Sequence, residues 1–402
     1  MEKTFEQAVL VLNCGSSSLK FAVVDPATGE QHLTGLAEAL GLPEAEISWR
    51  FGSADKQKSP LTAGADHTQA LQFLEEVVFK GQDAMTNALV AVGHRVVHGG
   101  ELFSQPELIT DEVEAGIEKC IPFAPLHNPA HLLGIRAARR LFAQLPHVAI
   151  FDTAFHQSMP ASAFMYAIPN KLYKEHGMRR YGAHGTSHYY VAGEAAKLLG
   201  KPVEQVNVIT AHLGNGGSLC AVKGGKSIDT SMGITPLEGL MMGTRCGSVD
   251  PSLVFFMVDE LGYSLDQVKD VLNKQSGLLG VSGKTSDFRG ITEGLEQGDE
   301  SCVLAFEMYC YRLAKFIASY YVPLGRVDAL VFTGGIGENS LVMRSKVLSL
   351  LEGFGFKEDA QGNAAARFGQ AGLITEEGSV KAFVIPTNEE LVIARSAAAF
   401  AG

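Results

Sequence analysis

Three short glycine-rich runs carry groups that could bind a polyphosphate. Asn13-Cys14-Gly15-Ser16-Ser17-Ser18-Leu19-Lys20 gathers small residues, hydroxyls and one ammonium into a tight turn. Glycine lets the backbone approach an anion, while the hydroxyls of Ser16 and Ser18, the amide N–H groups and Lys20 donate to its oxygens. His212-Leu213-Gly214-Asn215-Gly216-Gly217-Ser218 holds the same inventory with an added imidazole. Thr333-Gly334-Gly335-Ile336-Gly337-Glu338-Asn339 follows an apolar run and leads into a helical pattern at Leu341, Met343, Val347 and Leu350. A glycine turn between strand and helix is where open α/β sheets take nucleotides. Alone, each run reads equally well as a polar hairpin or a tight strand-to-helix turn.

A second set is basic. Gly93-His94-Arg95-Val96-Val97-His98 puts an arginine and two histidines after an apolar run, and Pro125-Leu126-His127-Asn128-Pro129 puts a histidine at a helix start. Asp152 follows the run Val148 to Phe151, and His184-Gly185-Thr186-Ser187-His188 and Thr244-Arg245-Cys246 complete the set. Each residue alone also reads as a surface ion pair or a structural histidine. His184 and His188 stand four apart, as zinc ligands can, but without an H-E-x-x-H pattern, so zinc is set aside. Gly283-Lys284-Thr285 and Gly225-Lys226-Ser227 lack the upstream glycine of a P-loop, and Gly335-Ile336-Gly337 lacks the third glycine of the dinucleotide fingerprint.

The elements that position these groups read as α/β. Hairpin strands are expected at Val9 to Leu12 and Leu19 to Val24, and further strands at 89–92, 148–151, 206–211, 327–333 and 382–385. Helices are expected from an Asn128 cap with Pro129 at the first position, over 302–321 and over 388–400; the polar stretch 52–66 reads as a surface loop. The strand–turn–strand pattern of Leu10 to Lys20 recurs at Val208 to Val222, which suggests two related domains.

Composition bounds the partners. With 402 residues, 46% hydrophobic and 19% charged, the chain is globular and long enough for two domains. A net charge of −11 speaks against nucleic acid or an anionic membrane as partner, though not against a small anion in a locally basic site. Six scattered cysteines read as free thiols, and acids in Met1 to Glu6 are unlike a signal peptide, so a cytoplasmic protein is expected.

Over nearly its full length the chain resembles the acetate/propionate kinase family. The resemblance rests on the motifs above together with Phe151-Asp152-Thr153-Ala154-Phe155-His156 and Pro386-Thr387-Asn388-Glu389-Glu390. It implies two duplicated actin/sugar kinase/Hsp70-like (ribonuclease H-like) domains around a nucleotide cleft, residues 1–155 plus 387–402 and residues 156–386. It implies ATP/ADP as co-substrate, a short carboxylate as acceptor and a homodimer. Asn13 and Glu389 would hold Mg²⁺, with Mn²⁺ as an alternative, and Lys20 would lie near the phosphates. His212, Leu213, Gly214, Asn215 and Gly216 would line the phosphate path. Asp287, Phe288 and Arg289, with Gly335, Ile336, Gly337, Glu338 and Asn339, would surround the adenosine. Arg95 and Arg245 would flank the carboxylate and the phosphoryl group, His184 would stabilise the transition state, and Asp152 would be catalytic. Val97, Leu126 and Pro236 would shape the acyl pocket, with His127 beside it.

Many members carry Phe where Ala183 stands. That departure keeps open a propionate or butyrate kinase; a nucleotide-switched binding protein on the same fold is the reading from another class. A carboxylate acceptor has a pKa of about 4–5 and no proton to lose at neutral pH. Asp152 is therefore expected to orient an arginine, or the Mg²⁺ shell, rather than act as a base.

Overall fold

The computed structural model describes residues 6–401. Most of the N-terminal stretch that speaks against a signal peptide, residues 1–5, lies outside the described residues. The chain divides into two compact units, one ending at Phe155 and taking in the segment from Asn388, the other His156–Thr387.

In the first unit eight strands form one sheet: β1 (Ala8–Cys14), β2 (Leu19–Val24), β3 (Gln31–Glu38), β4 (Glu46–Phe51), β5 (Gln57–Pro60), β6 (Leu89–Val96), β7 (Glu107–Leu108) and β8 (His147–Phe151). Their spatial order is β5-β4-β3-β2-β1-β6-β8-β7. The strand β1 runs antiparallel to β2 and parallel to β6, and β6 runs parallel to β8. Near-continuous apolar runs in β1 and β6 suit strands buried on both faces. On one face Leu10, Leu12 and Phe21 pack against Ala70 and Leu71 of α1 (His67–Phe73) and Ala137 and Ala138 of α2 (Asn128–Leu141). On the other, Val9, Val11, Ala91 and Val148 meet Ile393, Ala394 and Ala397 of the C-terminal helix, Glu389–Ala398. Alternate residues of one strand thus hold two layers together.

The second unit repeats the arrangement. Its strands are β9 (Asn207–Leu213), β10 (Gly217–Lys223), β11 (Lys226–Thr230), β12 (Ala329–Thr333), β13 (Gly372–Leu373) and β14 (Lys381–Val384), in the order β11-β10-β9-β12-β14-β13. As with β3-β2-β1-β6-β8, three antiparallel strands are followed by two parallel ones. This is the ribonuclease H-like order, present twice. Its helices include α3 (Gly185–Leu198), α4 (Ser252–Asp259), α5 (Phe288–Glu296), α6 (Glu300–Ser319) and α7 (Leu341–Leu350). Ala211, Leu213, Leu330 and Phe332 share a core with Phe306, Tyr309 and Leu313 of α6 and Met343 and Val347 of α7. Burying each such side chain contributes roughly 1.5–3 kcal/mol.

Three local expectations are corrected. His94 and Arg95 lie inside β6, not after it. His127, not Asn128, holds the cap position of α2. The Asn128 side chain instead clamps the preceding loop: its Nδ2 donates to the His98 carbonyl at 2.9 Å and its Oδ1 accepts from His98 N at 3.3 Å. The polar stretch 52–66 contains β5, an edge strand whose Lys58 and Pro60 suit a strand with one unpaired side.

Candidate active site

In the first unit the carboxyl ends of three adjacent strands bring the polar residues together. The registers Leu12↔His94 and Arg95↔Ile150 set Asn13, Arg95 and Asp152 side by side, where ligands of α/β sheets bind. The pair between Arg95 and Asp152 is two-pronged. Nε of Arg95 donates at 3.2 Å to each carboxylate oxygen and Nη2 at 2.6 Å to Oδ2. Asp152 is 1% exposed and Arg95 20%. Burial alone would lower the Arg95 pKa, but the charges of Asp152 and Glu389 outweigh it and raise it. Arg95 Nη1 also points at Asn13 Oδ1, at 3.5 Å.

Glu389 and Glu390 open the C-terminal helix, whose N-terminal dipole favours their charge. Lys20, opposite Asn13 in the hairpin, pairs with Glu390 and not with an open site. Burial pushes the Glu389 carboxyl up to about 7, against the opposing charge of Arg95. Its Oε1 is buried with no hydrogen-bond partner. Asn13 and Glu389 line one small cavity together with Arg95 and Lys20, and an amide oxygen with an orphaned carboxylate oxygen is a donor set that suits a hard cation. The Gly15–Ser18 turn closes on itself through Gly15 N and Ser18 O at 2.8 Å, and His67 Nε2 holds the Gly15 carbonyl at 2.7 Å. Ser16 is exposed and Ser18 half-buried. Val97 is buried, His127 half-buried, and Leu126 exposed at 63%. His94 is structural: it bonds to His147 at 2.9 Å and burial holds its pKa well below the usual range.

In the second unit the carboxyl ends of β9, β12 and β14 lead to His212, Thr333 and Thr387. Ser187 Oγ lies 2.8 Å from both His212 Nδ1 and Thr387 Oγ1. His184 caps α3 with φ 55°, a left-handed conformation that costs a non-glycine residue about 1–3 kcal/mol and clusters at functional sites. Its ring stacks on that of His212 at 4.3 Å. His184 Nδ1 and His188 Nε2 are both taken up by Ser218 Oγ and His188 Nδ1 by Thr210, which removes the i, i+4 pair as a zinc site. Arg245 Nη1 donates to the Pro236 carbonyl at 2.5 Å, so the loop that carries Pro236 also fixes the arginine. Any side chain at Gly216 would strike Arg245.

A cavity of about 1070 Å³ opens in this unit. Its lining includes Asp287, Phe288 and Arg289, Gly335, Ile336 and Asn339, and Gly214 and Asn215. Asp287 Oδ1 caps α5 by accepting from Arg289 N at 2.9 Å, and the same carboxylate holds the Arg289 guanidinium. Phe288 belongs to the core, 5.0 Å from Tyr309. The turn after β12 depends on Gly334, whose φ of 76° brings it against the Leu213 backbone.

Not every expected residue reaches this cavity. Among the expected residues, His212, Leu213 and Gly216 are absent from its walls, as are Gly337 and Glu338. Glu338 serves the turn instead, accepting from Gly334 N at 2.9 Å and Thr387 N at 3.2 Å. Arg367 and Phe368, which line the cavity, carry no motif that sequence reasoning could have used. Ser187 and Thr387 were within reach, since both lie inside recognised motifs. Ala183, 4% exposed, packs with Met232 and Met242.

Comparison with known proteins gives one consistent answer. An acetate kinase of Shewanella sp. (strain W3-18-1) is 60% identical over 386 residues, 96% of each chain. A propionate kinase from Francisella tularensis subsp. tularensis SCHU S4 has a TM-score of 0.92 at 46% identity, covering 97% of this chain and 99% of its own. The acetate kinase of Porphyromonas gingivalis has a TM-score of 0.91 at 43% identity, covering 96% and 98%. The Acetokinase family model matches residues 8–395, nearly everything from the first strand to the last helix, and the chain belongs to that family.

Proposed function

We propose that this chain transfers the γ-phosphoryl group of ATP to acetate, reversibly, giving acetyl phosphate and ADP. The observation that carries the reading is 60% identity to an acetate kinase over 96% of both chains. ATP turnover by the purified protein is expected to require acetate; equal turnover without any carboxylate would favour the nucleotide-switch reading instead.

In the reaction an acetate oxygen attacks the γ-phosphorus in line with the departing ADP oxygen. One P–O bond forms as the other breaks, and no proton moves. Catalysis then rests on position and on neutralising charge spread over three oxygens. Arg95, locked by Asp152, supplies a planar fork suited to carboxylate and phosphoryl oxygens. Arg245, pinned on Pro236, and His184 serve the phosphoryl oxygens from residues of the second unit. Val97 and Leu126 of the first unit and Pro236 of the second are the residues we assign to the acyl methyl, and the cavity lined by Asp287, Phe288, Arg289, Gly335, Ile336 and Asn339 takes the adenosine.

Mg²⁺ fits Asn13 Oδ1 and the orphaned Glu389 Oε1, because it keeps several waters and needs few protein ligands. When bound it neutralises phosphate charge. Glu389→Gln is expected to weaken Mn²⁺ binding, read by electron paramagnetic resonance, about tenfold or more. A ligand carboxylate must be ionised, so wild-type affinity falls as pH drops through about 7, and the variant loses that dependence. Unchanged Mn²⁺ binding by the variant would remove Glu389 from the site.

The helix α4, Ser-Leu-Val-Phe-Phe-Met-Val-Asp, has no buried residue, and Phe255 and Phe256 are 64% and 56% exposed. A second copy of the chain is the occupant we assign to this apolar face. Sedimentation velocity at micromolar concentration is expected to give a dimer that Phe255→Asp dissociates; a wild-type monomer would contradict this. Among the described residues no helix is long and apolar enough to cross a membrane, and all six cysteines are free, which supports a reducing cytoplasm.

A further inference from the structure

We propose that Ser218, backed by His188 and Thr210, is a positioning residue that sets which ring nitrogen of His184 carries the proton. The inference rests on the role given to His184 above, and it concerns a chain of groups behind that residue.

Ser218, His188 and Thr210 are each 0% exposed. Ser218 Oγ sits 2.8 Å from His184 Nδ1 and 2.8 Å from His188 Nε2. A hydroxyl has one proton, so between two imidazoles it donates to one and accepts from the other. Which way it points is decided further back. Burial, with His156 and His212 adding to it, holds the His188 pKa well below the usual range, so that ring is neutral, with one donor and one acceptor.

The other nitrogen of His188, Nδ1, lies 2.7 Å from Thr210 Oγ1, whereas that hydroxyl is 3.5 Å from the Cys220 carbonyl. A contact at 3.5 Å is at the limit of a hydrogen bond, and 2.7 Å is near its optimum. The proposal therefore assigns the threonine proton to the shorter contact, directed at His188 Nδ1 rather than at the Cys220 carbonyl. His188 then carries its own proton on Nε2 and donates it to Ser218. Ser218 in turn donates to His184 Nδ1, which leaves the proton of neutral His184 on Nε2.

The consequence is chemical. Held in this tautomer, His184 offers an N–H donor without having to be charged, so its service to a phosphoryl oxygen persists above the ordinary imidazole pKa. The stacked His212 ring at 4.3 Å and its partner Ser187 hold the plane of the ring, while Ser218 holds its rotation. No covalent step or net proton transfer is involved.

The test uses the whole protein labelled with ¹⁵N-histidine. At pH 7.5 the His184 ring, assigned by loss of its signals in His184→Asn, is expected to be neutral with the proton on Nε2. A proton on Nδ1, or an imidazolium, would overturn the proposal. Ser218→Ala is expected to lower kcat by about 10–100-fold, with KM for ATP and acetate within about twofold, and to release the tautomer. Ser218→Thr, which keeps the hydroxyl, is expected to restore most of the rate. A packing role alone would lower thermal stability and leave the His184 spectrum unchanged. Wild-type kcat in Ser218→Ala also overturns the proposal. The spectrum needs no turnover, so failure of the relay and failure of the kinase reading are distinguishable.

Discussion

Asp152→Asn is expected to lower kcat by about 10²–10³-fold, with no recovery as the pH is raised. The reason lies in the geometry of one pair. Asp152 is buried to 1% exposure and accepts three contacts from Arg95. Asparagine keeps the shape but presents an amide N–H₂ where Arg95 needs an acceptor. The guanidinium then loses its two-pronged anchor and swings away from the geometry that in-line transfer requires. A carboxylate acceptor, ionised above a pKa of about 4–5, has no proton for Asp152 to remove. Rescue at high pH would mean that hydroxide replaces a missing base, and would return Asp152 to that role. A loss in kcat with flat pH dependence supports orientation. Asparagine is a better probe than alanine, because removing the partner outright adds the cost of a buried unpaired charge.

Arg344→Met is expected to destabilise the second unit by about 3–5 kcal/mol, a fall in Tm of roughly 10 °C. Arg344 is 0% exposed, and burial pushes its pKa down to about 10. It is kept there by oxygen acceptors on every side. Nε donates to Asn363 Oδ1 at 2.6 Å, Nη1 to the Gly337 and Glu338 carbonyls at 2.9 and 2.8 Å, and Nη2 to the Asn363 and Ala366 carbonyls at 2.8 and 3.0 Å. Methionine fills much of the volume but leaves these acceptors unpaired in a dry interior. Two of them belong to the turn whose Gly335, Ile336 and Asn339 line the cavity proposed for the nucleotide. The variant should therefore also show a raised KM for ATP while KM for acetate holds. A Tm within a degree or two of wild type would show that the acceptors find other partners.

The two hairpins were legible because each is a Val- and Leu-rich run broken by glycine and small polar residues. That pattern has few foldings besides strand, tight turn and strand, and β1–β2 and β9–β10 take this form. The strands β3, β4 and β11 were not, since Gly35, Ser48 and Asp229 interrupt their apolar alternation and only pairing with a neighbour stabilises them. Arg95 was read as following its strand because charge usually marks a strand end; inside β6 it is tolerated because Asp152 neutralises it.

The same limit applies to the candidate site. The motifs pointed to the right stretches of chain, but not to what each side chain touches. Ser218 meets His184 and His188 because the β9–β10 register sets it opposite His212, and no spacing rule contains that register. Phe368 reaches the cavity from a segment with no apolar period, through a backbone held at φ 54°. Glu338 sits within a recognised motif yet spends its carboxylate on the turn itself. Convergence of residues distant in sequence is a property of packing, and packing is where the motif reading stops.

The most direct test of the central claim is acyl phosphate formation, trapped with hydroxylamine, from MgATP and equal concentrations of acetate, propionate and butyrate. The account predicts strong product with acetate and a steep fall along the series. Comparable product with propionate or butyrate would contradict the acetate assignment, and no product with any of the three would contradict carboxylate phosphorylation itself.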